Sequence, residues 1–249
     1  MDIPILFEDD GVVVVDKPPG IMVHGDGRDR REGAQETVAD WHVARLPETR
    51  GVGEPLSLSD GTQLNRPGVV HRLDQETSGV LILAKTPEAF AHLKKQFHDR
   101  LAKKEYRAFV YEQVKEPRGV IRRAIGRSAQ DFRLYSAQRG TRGRLREAET
   151  SWERISISAQ YSYLRLLPKT GRRHQLRVHT KAINHPILCD RLYAPKRVAR
   201  DPHALGFTRL ALHAYALSIA LSSRELRTFI APLPEDFTRA ERLLKGSLL

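Results

Sequence analysis

Cysteine is almost missing from this chain: Cys189 is the single one among 249 residues. No internal disulfide can form, and a reducing compartment is expected. Long apolar runs are missing too. The longest, Leu210 to Leu221, is about 12 residues and contains His213, whereas a bilayer-spanning helix takes roughly 20. The N-terminal stretch from Met1 to Asp10 is acidic and has no basic, apolar and small-residue succession of the kind that makes a signal peptide. These absences predict a soluble cytoplasmic protein with no membrane partner. There is no internal repeat. Acidic residues also become scarce along the chain. Residues 1–60 carry 13 Asp and Glu against 6 Lys and Arg, while residues 61–249 carry 17 against 36. The net charge is +12 and the pI about 10.1. An Arg-rich excess of this size points to a polyphosphate partner, because phosphates are the anions that such surfaces meet most often.

The length allows a full core, and with no convincing linker a single domain over 1–249 is expected. Gly11 to Asp16 reads as a strand ended by Lys17-Pro18-Pro19-Gly20. Glu36 to Leu46 reads as a helix, and Pro47 to Gly68 as a long loop, of the kind that is functional or disordered. Val80 to Ala84 is a buried strand. Thr86 and Pro87 then open a helix as N-cap and first helical residue, with Phe90, Leu93, Phe97 and Leu101 as its apolar stripe and Lys94, Lys95 and Arg100 outside. Tyr106 to Tyr111 is a strand. Arg118 to Tyr135 suggests short strands separated by Gly126. Ala148 to Ile157 and Tyr161 to Leu167 make a hairpin, His174 to Ile183 a short helix, and Tyr215 to Leu221 with Leu226 to Ile230 a last strand pair. Strands cluster and helices are irregularly interspersed. That predicts an α+β fold with a mixed, mainly antiparallel sheet flanked by helices and loops.

Two segments carry chemistry. The first is His71-Arg72-Leu73-Asp74, followed by Gln75-Glu76-Thr77-Ser78-Gly79 and a short apolar strand. A carboxylate among cations has its pKa lowered by roughly 1–3 units. Fixed and ionised, it can attack carbon or accept a proton. A kinase catalytic loop begins His-Arg-Asp, but the order here differs, and no Gly-rich loop, Val-Ala-Ile-Lys strand or Asp-Phe-Gly motif accompanies it. The second segment runs from Thr170 through Gly171-Arg172-Arg173-His174-Gln175-Leu176-Arg177-Val178-His179 to Asn184-His185-Pro186 and Asp190. The spacing of His174, His179, His185 and Cys189 matches neither a zincin helix nor a Cys-x-x-Cys knuckle, so no metal is expected.

Both segments resemble the signatures of the RluA-type pseudouridine synthases. So do Lys103 to Val110 around Tyr106, the opening Phe7 to Asp10 with Val15-Asp16-Lys17-Pro18-Pro19-Gly20, and the closing Arg209 to Ala214. The resemblance spans about residues 5–232. It implies a cofactor-free enzyme that isomerises uridine in structured rRNA or tRNA. It makes Asp74 the catalytic aspartate, Arg177 the arginine that salt-bridges it, and Tyr106 the tyrosine that stacks on the target base. Arg72 enters the RNA stack where the flipped nucleotide left. Leu176 and Thr77 line the substrate pocket, and His71, Arg172 and His174 meet RNA. A uracil in a stem must be flipped out at a cost of a few kcal/mol. Stacking on an aromatic ring returns roughly 1–3 kcal/mol per base, and a planar guanidinium suits the vacancy. Exchange of C1′–N1 for C1′–C5 consumes no redox equivalent and no phosphate, so a nucleotide cofactor is not expected.

The chain departs from the family at Arg173, where Thr or Ser is usual, at Asn184 and Cys189, where Gly is common, and at Ala194. Many relatives carry an N-terminal S4 RNA-binding domain, and this sequence is expected to act without one, as a monomer. Arg66-Pro67-Gly68-Val69-Val70 is similar to the branch acting on large-subunit rRNA. The lack of S4 is more like branches acting on short stem-loops. Arg139, Arg142, Arg144 and Arg146, with Gly140 and Gly143 between them, read as a mobile basic loop that clamps phosphates, flanked by Arg118, Arg122, Arg123 and Arg127. Two rival readings are an idle RNA-binding protein on the same scaffold, and a hydrolase cleaving a glycosidic bond. The hydrolase would need a second catalytic carboxylate.

Overall fold

The computed structural model describes residues 1–25, 35–57, 61, 63–131, 134–137, 141–199, 201 and 204–246. The fold is α+β, as the pattern of strands and helices predicts. Packing divides the chain into two compact units, one formed by Met1–Ala102 with Ala216–Ala231 and one by Lys103–Tyr215 with Pro232–Leu249.

The first unit contains β1 (Ile5–Glu8), β2 (Val12–Lys17), α1 (Val38–Arg45), a 3₁₀ turn (Pro47–Gly51), β3 (Leu56–Ser57), β4 (Gln63–Leu64), β5 (Ser78–Ala84) and α2 (Pro87–His98). The strands lie in the order β1-β2-β5, all antiparallel. Every residue of β5 and the four valines of β2 are buried, which is why both read as unbroken apolar runs instead of alternating ones. The ladder pairs Val12 with Ala84 and ends with Lys17 opposite Gly79. That register brings the Lys17-Pro18-Pro19-Gly20 turn beside the loop that precedes β5. Helix α1 starts in a capping box of Thr37 and Asp40. Helix α2 is N-capped by Thr86, whose hydroxyl accepts from Ala89 N at 3.2 Å. Phe90 and Leu93 are buried on it, but Leu101 is 61% exposed. The expected stripe stops at Phe97 because the helix ends at His98 and Arg100 takes a left-handed φ of 61°. The long loop before Asp74 holds the 3₁₀ turn and the small β3–β4 ladder.

The second unit contains β6 (Lys103–Tyr111), β7 (Arg118–Arg122), β8 (Ile125–Ser128), β9 (Tyr135–Ser136), β10 (Thr141–Arg146), β11 (Glu149–Ile157), β12 (Tyr161–Pro168), α3 (Gln175–Ala182) and α4 (Lys196–Ala199). The start of β13 (Leu212–Ala220) and α5 (Glu235–Gly246) also belong here, whereas β13 from Ala216 and β14 (Leu226–Ile230) belong to the first unit. β6, β12, β11 and β7 make an antiparallel ladder in that order, and β10, β8 and β9 a smaller one. From Ala216 onward β13 pairs with β14, and Phe229 stacks at a tilt on Phe7, 5.2 Å between ring centres. The core of the second unit centres on Phe109, which lies flat on Tyr163 at 4.2 Å and touches Phe207 and Phe237. Sequence analysis missed β1 and α5. The three buried residues of α5, Phe237, Ala240 and Leu244, follow a helical period. Gly126 does not separate strands: it lies inside β8, and the break falls between Arg122 and Ile125. A Cβ on Gly126 would stand 2.9 Å from the Leu145 side chain and 3.2 Å from that of Thr141, so the residue serves the close approach of β10.

Candidate active site

Asp74 sits half-buried in a turn closed by Thr77 N donating to Asp74 O at 3.1 Å. The chain enters through Leu73, 4% exposed, and leaves into β5. The turn is braced from β2. Lys17 is fully buried, and its Nζ donates to three carbonyl oxygens: Pro18 at 2.7 Å, Ile21 at 2.8 Å and Gln75 at 3.0 Å. Gly20 N also donates to Gln75 O, and the Gln75 amide returns a bond to Gly20 O. A buried ammonium needs such a cage, because a charged donor left without acceptors is costly. Arg72 is exposed, and its Nη1 lies 3.1 Å from His24 Nε2. His71, expected to meet RNA, is occupied with the scaffold: its ring stacks on Phe97 at 4.5 Å and its Nε2 accepts from Ile82 N at 3.1 Å. Thr77 is 2% exposed, and its hydroxyl has no partner among the described residues.

In the second unit, the segment from Thr170 to His179 is held by a closed polar network. Gln175 Oε1 accepts from Thr170 Oγ1 at 2.7 Å and from Arg172 N at 3.0 Å. Its Nε2 donates to Glu149 O and to Thr150 Oγ1. Thr150 in turn donates to His179 Nδ1 at 2.9 Å, and His179 Nε2 donates to Arg123 O at 2.9 Å. This assigns one tautomer to His179, and burial lowers its pKa. Gln175 and His179 are one helical turn apart and share a face. Arg177 lies between them and points elsewhere. Its Nε and Nη2 form a two-pronged ion pair with Asp190 at 2.8 and 2.7 Å, and its guanidinium sits 5.0 Å from the Tyr193 ring centre. Asp190 is fully buried and also accepts from Leu192 N and Tyr193 N. The His174 ring engages Tyr193 Oη at 2.7 Å, and Tyr135 N donates to the same oxygen. Arg172 Nε donates to Glu147 O, and Leu176, 7% exposed, is part of the core. Tyr106 is half-buried on β6 opposite Leu166. Lys104 precedes it on the same strand face, its Nζ 3.3 Å from Thr170 O, and burial lowers its pKa to about 8. No cluster of three or more His, Cys, Asp or Glu suited to a metal occurs among the described residues.

Residues 11–182 match the RNA pseudouridylate synthase family. The chain belongs to this family. An uncharacterized RNA pseudouridine synthase of Synechocystis sp. is 34% identical over 94% of this chain and 67% of its own length. A ribosomal large subunit pseudouridine synthase D of Borreliella burgdorferi is 34% identical over 94% and 66%, and one of Nitrosomonas europaea is 34% identical over 93% and 62%. This chain thus spans about two thirds or less of the length of these relatives. The human RNA pseudouridylate synthase domain containing 4 shares the fold, with a TM-score of 0.73 over 97% of this chain and 93% of that one, at 24% identity.

Asn184 and Cys189, two of the departures noted from the resemblance, have left-handed φ of 66° and 57°. Asn184 ends α3 in a Schellman arrangement: Asn184 N donates to Lys181 O and His185 N to Thr180 O, both at 2.9 Å. Asparagine tolerates this conformation well, whereas for cysteine it costs roughly 1–2 kcal/mol. The basic segment differs from the mobile loop expected. Arg142, Arg144 and Arg146 are exposed on β10, a strand, and Arg142 pairs directly across from the exposed Arg127 of β8. Arg139 lies outside the described residues. Like charges directly opposite each other are unfavourable in a ladder, so this pair gains from an anion.

Sequence reasoning gave no role to Lys17, His24 or Asp190. Lys17 and Asp190 stand inside quoted motifs, but the partners that define their roles are reached only on folding.

Proposed function

We propose that this protein is an RNA pseudouridine synthase acting on structured RNA, with ribosomal RNA as the first substrate class. Family membership and the names of its relatives support the activity. The observation that carries the site assignment is the braced Asp74 turn. A carboxylate presented half-exposed on a turn that Lys17 holds from the end of β2 has the fixed geometry a nucleophile needs. In this reading Asp74 is the catalytic aspartate, Tyr106 stacks on the target base, and Arg177 supplies the fixed positive charge, its plane held by Asp190. Arg72 takes the place of the flipped nucleotide, and Leu176 and Thr77 belong to the pocket. The basic strand β10, with Arg142, Arg144 and Arg146, binds phosphates outside the site.

The reaction breaks C1′–N1, turns the base and forms C1′–C5. The C5 hydrogen leaves as a proton and N1 gains one, so atoms and electrons balance without a co-reactant. Tritium at uridine C5 must therefore be released. We expect release from a large-subunit rRNA transcript with wild type and a loss of more than tenfold with Asp74→Asn at unchanged RNA affinity. Residual turnover within tenfold of wild type removes Asp74 from the nucleophile role. Release from a tRNA transcript instead of rRNA moves the substrate class. Binding without release from either makes this an RNA-binding protein.

A further inference from the structure

We propose that His24 is a positioning residue for Arg72, holding its guanidinium ready beside the Asp74 turn through a neutral imidazole acceptor. The inference rests on the proposed function, in which Arg72 fills the place of a flipped nucleotide. His24 is 4% exposed, and its Nδ1 lies 2.6 Å from Gly25 O. A carbonyl only accepts, so Nδ1 carries a proton; a guanidinium only donates, so Nε2 faces it with a lone pair. That lone pair faces Arg72 Nη1 at 3.1 Å, across 48 residues of sequence. His24 lies in the segment that follows β2, and the Lys17 ammonium ties this segment at Ile21 to Gln75 in the Asp74 turn. Donor and acceptor therefore stand on two segments locked to each other.

The chemistry of the acceptor matters. An exposed arginine samples many rotamers, and that freedom must be given up when it enters an RNA stack. A hydrogen bond to His24 orders the side chain beforehand. A carboxylate in the same place would order it more strongly, but it would compete with phosphate and base edges for the guanidinium. A neutral imidazole adds no counter-charge to the guanidinium and is exchanged at small cost.

The test uses the rRNA transcript that releases tritium, folded and as a short unstructured strand bearing the same uridine. His24→Leu is expected to lose about tenfold more kcat/KM on the folded RNA than on the strand. His24→Gln, whose Oε1 can stand near the lost Nε2, is expected to recover most of that difference. His24→Leu added to Arg72→Ala is expected to cause no further selective loss. Equal loss on both RNAs, no recovery in His24→Gln, or additive losses overturn the proposal. Turnover on the unstructured strand reports that each variant is folded. If Arg72→Ala itself loses equally on both RNAs, the flipping role of Arg72 falls and this role falls with it. If Arg72→Ala is selective and His24 is additive, only His24 is wrongly assigned. Nitrogen NMR of the free protein needs no RNA: Arg72→Ala is expected to shift the His24 Nε2 resonance, and an unchanged resonance overturns the proposal.

Discussion

Lys17 and Arg177 are both buried cations, solved in different ways. Lys17 is surrounded by carbonyl dipoles, Arg177 by a carboxylate and an aromatic face. The difference predicts different sensitivities. Removing one carbonyl partner of Lys17 leaves two others. Removing the Asp190 carboxylate takes two charge-assisted hydrogen bonds from a buried guanidinium. Asp190→Ala is therefore expected to destabilise the protein by about 3–5 kcal/mol, read as a lower urea midpoint at unchanged slope. A loss under about 1 kcal/mol would mean that the pair is easily replaced by water. The same residues show where single-residue reading stops. The pairing of Arg177 with Asp190 was not legible, because an Asp thirteen positions on has no local mark of pairing. His71 and His174 were expected to meet RNA. In the fold one ring nitrogen of each has a protein partner: His71 Nε2 accepts from Ile82 N, and His174 Nδ1 engages Tyr193 Oη.

At the scale of elements, periodicity and end signals worked where they were local. Thr86-Pro87 opened α2, the Ser158-Ala159-Gln160 turn joined β11 to β12, and α3 began after His174. They failed where an element's end depends on other residues. Leu101 fits the α2 stripe by spacing, yet the helix has already ended. Residues 139–146 look like a flexible loop from their glycines and arginines, but from Thr141 to Arg146 β8 supplies a pairing partner and the segment becomes a strand. A strand displays cations in fixed positions, which sharpens the expected salt dependence. Replacing Arg142, Arg144 and Arg146 by Gln is expected to reduce the slope of log K against log salt by about 2–3, at about 0.7–0.9 for each phosphate no longer neutralised. Filter binding between about 50 and 200 mM salt measures it, and an unchanged slope removes β10 from the interface.

For the whole molecule, two buried histidines link stability to pH. His42 in the first unit and His179 in the second are fully buried. Burial lowers the pKa of both, the largest cause in each case. The His42 Nε2–H donates to Ala84 O, and its Nδ1 has no partner among the described residues. In the unfolded chain each ring titrates at about 6.5. Below that pH the unfolded state binds protons that the folded state refuses, so stability is complete above about 6.5 and falls as the solution is acidified. The urea midpoint is expected to drop from about pH 6.5 to 5. His179→Gln is expected to flatten part of that drop, and a midpoint independent of pH across this range would contradict the burial of both rings.

The chain's order of apolar and polar residues determined the α+β class, most strand and helix positions, the basic surface and the family, because these depend on local periodicity and on strings of adjacent residues. The brace beneath Asp74, the His24 partner of Arg72, the Asp190 partner of Arg177 and the strand character of β10 were decided only by tertiary structure. Each joins residues far apart in sequence, and a hydrogen bond of about 3 Å between such residues exists only once the chain between them has been packed.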